Sequence, residues 1–481
     1  MRKSKRVAGI FLASWIALEA SAQEPSRTLV LSLEDALRIA SGESEDIWVA
    51  EAGVMRAVGG ERIVRSQLFP QLSASAQYTR TLRSQFDDID FGGGGGGEEV
   101  DLPFGRENQY TLGLDLRQLL FDGGQVFAQR RAAEARRRSA EIEVGSALAQ
   151  TLLDVTRAYF DAQLSDRLIT IAETSLQQTE EILRQTEVAR RVGDKSEFEL
   201  LRARVARDNQ LPVLIRRRTA RSEAYLQLKQ LLNIPPEDEL TLTTGVEEEV
   251  PRFVTAAEVS PDERAPVRQA AENVSANEAQ LAETRSQRLP TVSLSSRYAP
   301  VAFPEDGVPD PDDFQEDWAV SVSLSVPILT WGRLRGNEQV ARGNLDEARA
   351  RLVQTREAAA LDARLAANDL ADARATLEAS LSTADEARRA YSIAQVRFRE
   401  GIASQIELAD SRLLLEQAEV NRAEALRDLQ VARARLALLE DLPIGQGGGG
   451  VIPSFQEPQV PTQSIPQNPT VTASSPGGPI Q

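Results

Sequence analysis

The side chains that could do chemistry in this 481-residue chain are almost all carboxylates and guanidinium groups. The chain has 72 Asp and Glu and 55 Lys and Arg, with no His and no Cys. It therefore lacks the commonest general bases, thiol nucleophiles and soft metal ligands. Its carboxylates are scattered along predicted helix faces and give no support to a hydrolase site. We expect no enzyme activity, no cofactor and no metal. The net charge of −17 also argues against a nucleic-acid partner, because phosphates bind basic surfaces.

Two glycine turns contain the polar residues with the most definite spacing. Gly193 and Gly401 each follow a basic helix end, where a glycine suits a left-handed C-cap. A serine comes three residues later in each case and opens an S-x-x-E capping box, which predicts the start of a new helix. Glu407, the acid of the second box, lies one helical turn before Asp410, so both carboxylates share one helix face. The sequence therefore predicts two helical hairpins.

These hairpins belong to a pattern that occurs twice. Gly332 follows Gly124 by 208 residues, and Gly401 follows Gly193 by the same interval. Each copy has two segments of alternating polarity and then long alanine-rich stretches of strong helix formers. We predict two tandem structural repeats, residues 23–235 and 262–442. Their strands are expected at about 71–80, 109–121, 291–300 and 318–329, and their helices at about 125–231 and 333–440.

One helical stretch has the spacing of a coiled coil. Its apolar residues recur at intervals of four and three, at Leu148, Leu152, Val155, Tyr159 and Ala162. A helix from about 125 to 191 would be on the order of 100 Å long at 1.5 Å per residue. Such a rod must pack against neighbours along its length, so we expect coiled-coil contacts between the long helices.

Three further segments complete the predicted domain organisation. Residues 1–22 combine a basic start, an apolar run and a small-residue cleavage site, the pattern of a secretory signal peptide. An uncleaved membrane anchor is the alternative, although the apolar run is short for one. Residues 236–261 are acidic and punctuated by proline, and we expect them to link the repeats. Residues 443–481 are rich in Gly, Pro, Ser and Gln, which predicts a disordered tail.

The alternating segments allow two interpretations. Strands with one wet face occur in ordinary soluble sheets as well as in membrane barrels. Polar loops at about 82–109 and 301–317 separate the members of each strand pair and favour the barrel. Four strands are too few to close a barrel, since eight is the smallest number. Several chains would have to share one barrel, and three chains would supply twelve strands.

Several short motifs, in this order, resemble the TolC-type outer-membrane efflux family. They are the segment at residues 31–40, the two Arg-Ser-Gln-x-x-Pro motifs at 65–70 and 285–290, the segment at 119–124, the glycine turns, and the segment at 231–235. The resemblance covers roughly residues 30–442. It implies a mainly α fold with a membrane β-barrel: a homotrimeric twelve-stranded barrel in outer-membrane lipid, continuous with a long α-helical barrel across the periplasm. It also implies a passive exit duct coupled to a periplasmic adaptor protein and an inner-membrane transporter.

The same resemblance implies roles for residues at the two turns. The acidic residues that constrict the periplasmic aperture in this family correspond to Glu407 and Asp410. The position of a basic partner near this turn is occupied by Ala403, which puts a salt-bridge latch there in doubt. The expected adaptor-docking helix tips contain Arg190, Val192, Gly193, Ser196, Arg397, Gly401 and Ser404. Capping of the hairpins explains the glycine and serine positions without any docking.

A second hypothesis competes with the duct. A periplasmic or surface structural coiled coil without channel activity would explain the helices and the acidity. It would not explain why two strand pairs recur at matching places. The sequence does not identify the exported substrate or the particular adaptor and transporter.

Overall fold

The computed structural model describes residues 28–83, 107–248, 260–304 and 307–445. The predicted signal peptide lies outside the described residues, as do the predicted tail from residue 446, much of the first polar loop and part of the predicted linker. The chain divides into a first unit of residues 1–444 and a second of residues 445–481, and everything below concerns the first.

Two helices of 67 residues each dominate the fold. They are α3 (Gln125–Arg191) and α6 (Arg333–Arg399). Each begins after a glycine in the left-handed region, Gly124 with φ +87° and Gly332 with φ +88°. The Asp122 carboxylate accepts hydrogen bonds from the N–H groups of Gly124 (2.9 Å) and Val126 (2.6 Å), which satisfies free donors in the first turn of α3. No proline interrupts either helix, so both continue at about 1.5 Å per residue for about 100 Å.

Four shorter helices pack along these two. In the first half of the chain they are α2 (Glu45–Ser66) and α4 (Glu197–Leu231), and in the second half α5 (Ala265–Ser286) and α7 (Gln405–Ala437). Helix α3 contacts α2, α4, α5 and α7, while α6 contacts α5 and α7. The sequence did not predict α2 and α5. Helix α5 buries mainly small residues such as Ala276 and Ala279, and α2 buries Ile47, so neither has a strong apolar stripe. Among the described helices none combines the length and the apolar character that a membrane-spanning helix needs.

An antiparallel sheet joins the two halves of the chain. Its order is β2 (Gln71–Arg80), β3 (Asn108–Phe121), β5 (Thr291–Tyr298) and β7 (Trp318–Ser325). A two-residue strand, β6 (Val301–Ala302), also pairs with β3. The last two long strands end two and four residues before the predicted ends at 300 and 329. Strands β2 and β7 form the edges, and they carry alternating exposed apolar residues such as Leu72, Val322 and Leu324.

The largest hydrophobic core lies around the middle of α3. Here α1 (Leu33–Glu43) and a parallel pair of strands, β1 (Thr28–Leu31) and β4 (Glu239–Leu242), pack on the long helix. The Tyr159 hydroxyl donates to the Leu31 carbonyl (3.1 Å) and accepts from the Thr244 N–H (2.9 Å). The expected contact between long helices is present here, because Tyr225 and Leu228 of α4 and Ala434 of α7 lie in the same core as Leu152 and Tyr159. The core also includes α1 and the two strands, and β4 falls inside the predicted linker.

A buried ionic cluster holds the corresponding region of the second half. The Arg264 side chain is fully buried and donates to the carbonyls of Leu439 and Leu442, both at 3.0 Å. It also donates to the Asp362 carboxylate at 2.7 Å, which accepts from Arg435 at 2.9 Å as well. This cluster ties the start of α5 to α6 and to the segment that follows α7.

Candidate functional site at the hairpin turns

Both predicted hairpins are present, and each reverses at a left-handed glycine. The first turn (residues 192–196) joins α3 to α4, and Gly193 has φ +91°. The second turn (residues 400–404) joins α6 to α7, and Gly401 has φ +72°. The N–H of Asp194 donates to the Ala189 carbonyl at 2.9 Å and thereby closes the end of α3. This backbone conformation is costly for residues with a Cβ atom, which explains the glycines.

The first turn contains a complete capping box. The Glu199 N–H donates to the Ser196 hydroxyl at 3.3 Å, and the Ser196 N–H donates to the Glu199 carboxylate at 3.0 Å. Lys195 lies 3.1 Å from the same carboxylate. These contacts hold the pKa of Glu199 below its ordinary value, mainly through the Ser196 N–H and then through Lys195. Arg190 also pairs with Glu197 across the turn. The Glu199 carboxylate is thus held by contacts within the first cap.

The second turn contains only half of the predicted box. The Glu407 N–H donates to the Ser404 hydroxyl at 3.2 Å. The Glu407 carboxylate, however, lies 3.2 Å from the Arg397 guanidinium at the end of α6 rather than on the Ser404 N–H. The ion pair is half exposed. Arg397 therefore supplies the basic partner that Ala403 does not supply.

Ala403 is buried in a small apolar cluster beneath the second turn. It is 5% exposed and packs with Tyr391, Phe398 and Leu408. Burial raises the pKa of the Tyr391 hydroxyl, which keeps it neutral at physiological pH. A long cationic side chain at position 403 would have to leave this cluster, so the alanine here anchors α7 to α6.

Asp410 stands apart from these contacts. It is exposed on α7, one helical turn beyond Glu407, and it forms no ion pair with any described residue. Val192 is also exposed, at 70%, on the first turn. The structure therefore brings Arg397 and Glu407 together and leaves Asp410 as a free charge on the same helix.

The two turns lie side by side at one end of the helices. The Lys195 ammonium of the first turn is 5.3 Å from the centre of the Phe398 ring at the end of α6. The Gln405 side-chain amide donates to the Glu199 carbonyl (3.1 Å) and accepts from the Ala203 N–H (3.2 Å) on α4. These contacts fix the two hairpin ends at the same level.

A buried polar cluster links the hairpins further along the helices, and sequence analysis missed it. Arg412 of α7 is 5% exposed and donates to Ser175 of α3 and, at 2.8 Å, to Glu416. Glu416 also accepts from Ser175 at 2.8 Å and from Gln210 of α4 at 3.5 Å. An arginine and a glutamate four residues apart gave the only local signal, and that spacing is common on exposed helices.

A groove of about 330 Å³ lies beside this cluster, between α3, α6 and α7. Its charged residues are already paired, for example Arg388 with Glu419. Among the residues that the structure describes, no three His, Cys, Asp or Glu side chains form a metal site. The contacts around this groove are those of packed helices.

Comparison with known proteins gives the same family along most of the chain. The sequence model of the family described as outer membrane efflux protein matches residues 36–233 and 261–439. The chain is 26% identical over 381 residues to the solvent efflux pump outer membrane protein SrpC of Pseudomonas putida, covering 77% of this chain and 76% of that protein. It is also 26% identical over 340 residues to protein CyaE of Bordetella pertussis, covering 68% and 69% of the two chains.

Solved structures share the fold at low sequence identity. The CmeC outer membrane channel of Campylobacter jejuni superposes with a TM-score of 0.71 at 17% identity, covering 86% of this chain and 87% of that one. The outer membrane protein VceC of Vibrio cholerae superposes with a TM-score of 0.70 at 19% identity, covering 85% and 96%. The fold is therefore that of the outer-membrane channels.

Proposed function

Since the chain belongs to the outer membrane efflux protein family and is an outer-membrane exit duct, we propose that it works as a homotrimer coupled to a periplasmic adaptor and an inner-membrane transporter. It is not an enzyme, and it extends from the outer membrane into the periplasm. The alternative of a structural coiled coil without channel activity has no support from the family assignment.

The observation that carries the trimer is the open sheet. Four long strands end in two unpaired edges, β2 and β7, whose apolar residues are exposed. A membrane barrel has no free edges and needs at least eight strands. Three copies joined edge to edge supply twelve strands in outer-membrane lipid. The two halves of the chain, with the same order of helices and strands, then act as two tandem structural repeats within each copy.

The periplasmic aperture of this trimer is assigned to Glu407 and Asp410. Both lie near the start of α7, at the end of the helices where the chain reverses. Three copies would place six carboxylates around a narrow opening, and rings of Asp and Glu select for cations. The aperture proposal is supported by the free charge of Asp410 and by the exposed position of the turn.

The adaptor is assigned to the outer surface of the two turns. That surface includes Arg190, Val192, Gly193, Ser196, Arg397, Gly401 and Ser404. Exposed small residues and bare backbone allow a partner's helical tip to approach closely. Cargo choice is left to the adaptor and transporter, because relatives carry names as different as solvent efflux and nodulation.

Planar-bilayer recording of the purified protein tests the proposal. We expect small, cation-selective single-channel currents that grow in the Glu407→Ala/Asp410→Ala double variant. Glu400→Ala is the matched control, because this exposed carboxylate lies in the same turn but outside the α7 face. Unchanged small currents in the double variant would move the constriction elsewhere. Absence of any channel, together with a monomeric mass in detergent, would refute the trimeric duct.

A further inference from the structure

The four helices of the two hairpins are arranged with α4 and α6 on the outside. Helix α3 packs on α4 and on α7, and α7 packs in turn on α6. Helix α6 also contacts α5 further from the turn, but both α4 and α6 keep a flank of exposed residues in the described part of the chain. These two flanks differ from each other in sequence, so a contact between them is head-to-tail, the type of contact that builds cyclic oligomers when its rotation closes.

The uncovered flank of α4 is apolar at regular intervals. Leu201, Val205, Ile215 and Leu226 are exposed by 48%, 57%, 63% and 45%. They lie on the side turned away from α3, which α4 contacts through buried residues such as Leu214. Their spacings of 4, 10 and 11 residues are sums of three and four, which keeps them on one side of the helix. Four large apolar side chains on one exposed face indicate a partner surface.

The uncovered flank of α6 has a matching character. Ile393 and Val396 are 60% and 56% exposed on the side turned away from α7. Further from the turn the same side carries the exposed small residues Ala371 and Ala375, which allow a neighbouring helix to approach closely. This flank therefore carries large apolar side chains near the turn and small side chains further along the helix.

The two flanks also agree in register and charge. In a ring of identical copies, equivalent residues lie at the same height, and the contacts between the two turns place the start of α4 level with the end of α6. Arg216 lies 19 residues beyond the start of α4, and Glu378 lies 21 residues before the end of α6. The difference of two residues is about 3 Å of helix rise. Within the described part of the chain neither charge has an ion-pair partner.

The large apolar residues of the two flanks also lie at matching distances from the turns. Leu201 and Val205 lie four and eight residues from the start of α4, and Val396 and Ile393 lie three and six residues from the end of α6. The large side chains of both flanks thus meet near the turns, and Leu226 meets the small residues higher up. A second copy of this chain satisfies the apolar seam and both unpaired charges.

We infer that the α4 flank of one copy packs antiparallel on the α6 flank of the next, with Arg216 paired to Glu378 of the next copy. The inference rests on the proposed trimer and assigns its helical contact. This ion pair and the apolar layer beneath it would hold the contact between copies, while the buried cluster of Ser175, Gln210, Arg412 and Glu416 holds the contact within one copy.

Cysteine cross-linking tests this contact, because the chain has no native cysteine. The full-length Arg216→Cys/Glu378→Cys variant, treated in membranes with a short bis-maleimide, should run as covalent dimers and trimers on denaturing gels. The matched control is Arg218→Cys/Glu378→Cys. Arg218 is two residues away but turned toward α3, where it lies 3.1 Å from Glu173. Each single-cysteine variant and this control should remain monomeric on the gel.

Light scattering in detergent measures the mass of the complex and so tests the α4–α6 contact and the trimer separately. A trimeric mass without cross-links, or with equal cross-links in the control, would overturn the α4–α6 contact and leave the trimeric duct intact. A monomeric mass for the native chain would refute the proposed trimer itself. In support of the pairing, Arg216→Glu should make the trimer dissociate at lower temperature, and the Arg216→Glu/Glu378→Arg exchange should restore it.

Discussion

The free charge of Asp410 and the paired charge of Glu407 predict unequal effects on ion selectivity. Glu407 lies 3.2 Å from Arg397, so at a distance the two charges largely cancel. Asp410 has no such partner among the described residues. We expect Asp410→Asn to remove most of the cation preference of the aperture. The double variant Arg397→Gln/Glu407→Gln removes one charge of each sign and should leave the preference almost unchanged.

The size of the effect follows from elementary electrostatics. A cation about 6 Å from each of three carboxylates gains about 0.7 kcal/mol per carboxylate in a water-like dielectric, or about 2 kcal/mol in all. Screening at physiological salt, with a Debye length of about 8 Å, reduces the total to about 1 kcal/mol. That free energy corresponds to about a five-fold change in cation preference. The neutral pair contributes close to zero, so its removal should change the preference less than about two-fold.

Reversal potentials across planar bilayers under a salt gradient measure this preference directly. Glu424→Gln is the matched control, because it removes one exposed carboxylate from α7 about 21 Å further along the helix, beyond the Debye length. A selectivity unchanged in Asp410→Asn would refute its place at the aperture. A strong change in the double variant would instead show that Arg397 and Glu407 act as separate charges.

Three further predictions concern stability. Gly401→Ala should add about 1–2 kcal/mol of left-handed backbone strain and speed amide hydrogen exchange in the second turn, measured by mass spectrometry. The Ser196 N–H lowers the pKa of Glu199 in the folded chain. The first cap is therefore fully formed above the ordinary glutamate pKa of about 4.3, and it is lost as the pH falls through the lower pKa that Glu199 has in the folded chain. Glu199→Gln should abolish this pH dependence of hydrogen exchange. Arg264→Met should cost about 3–5 kcal/mol and lower the thermal midpoint in detergent, whereas Arg268→Met, at a half-exposed ion pair, should cost at most about 1 kcal/mol.

The sequence predicted local features well where one residue type has one physical role. Gly193 and Gly401 require positive φ, and the capping residues follow at fixed spacing, so both turns could be located without any tertiary information. The long helices were recognisable because no proline or turn residue interrupts them. The strands were recognisable from alternation, although β5 and β7 end before their predicted limits.

Contacts between distant parts of the chain were beyond the same reasoning. The spacing of Leu152, Val155 and Tyr159 identified a buried helix face, but not that α1, β1 and β4 join the long helices in this core. The contact of Arg412 with Ser175 spans 237 residues, and nothing local distinguishes this buried arginine from an exposed one. Strand β4 was missed because four residues within an acidic, proline-punctuated segment give too little periodicity.

The two turns share a backbone conformation but differ in how their box glutamates are held, and this difference supports an aperture at the second turn. At the first turn the Glu199 carboxylate accepts from the Ser196 N–H and from Lys195, so its charge serves the cap. At the second turn the hydroxyl of Ser404 does the capping, and the Glu407 carboxylate remains available for a side chain across the turn. A carboxylate that does not cap the start of a helix can change partners when the hairpin moves. Asp410 adds a second carboxylate, which forms no ion pair with any described residue. The capping chemistry thus holds the box glutamate of the first turn within its cap and leaves that of the second turn paired with Arg397.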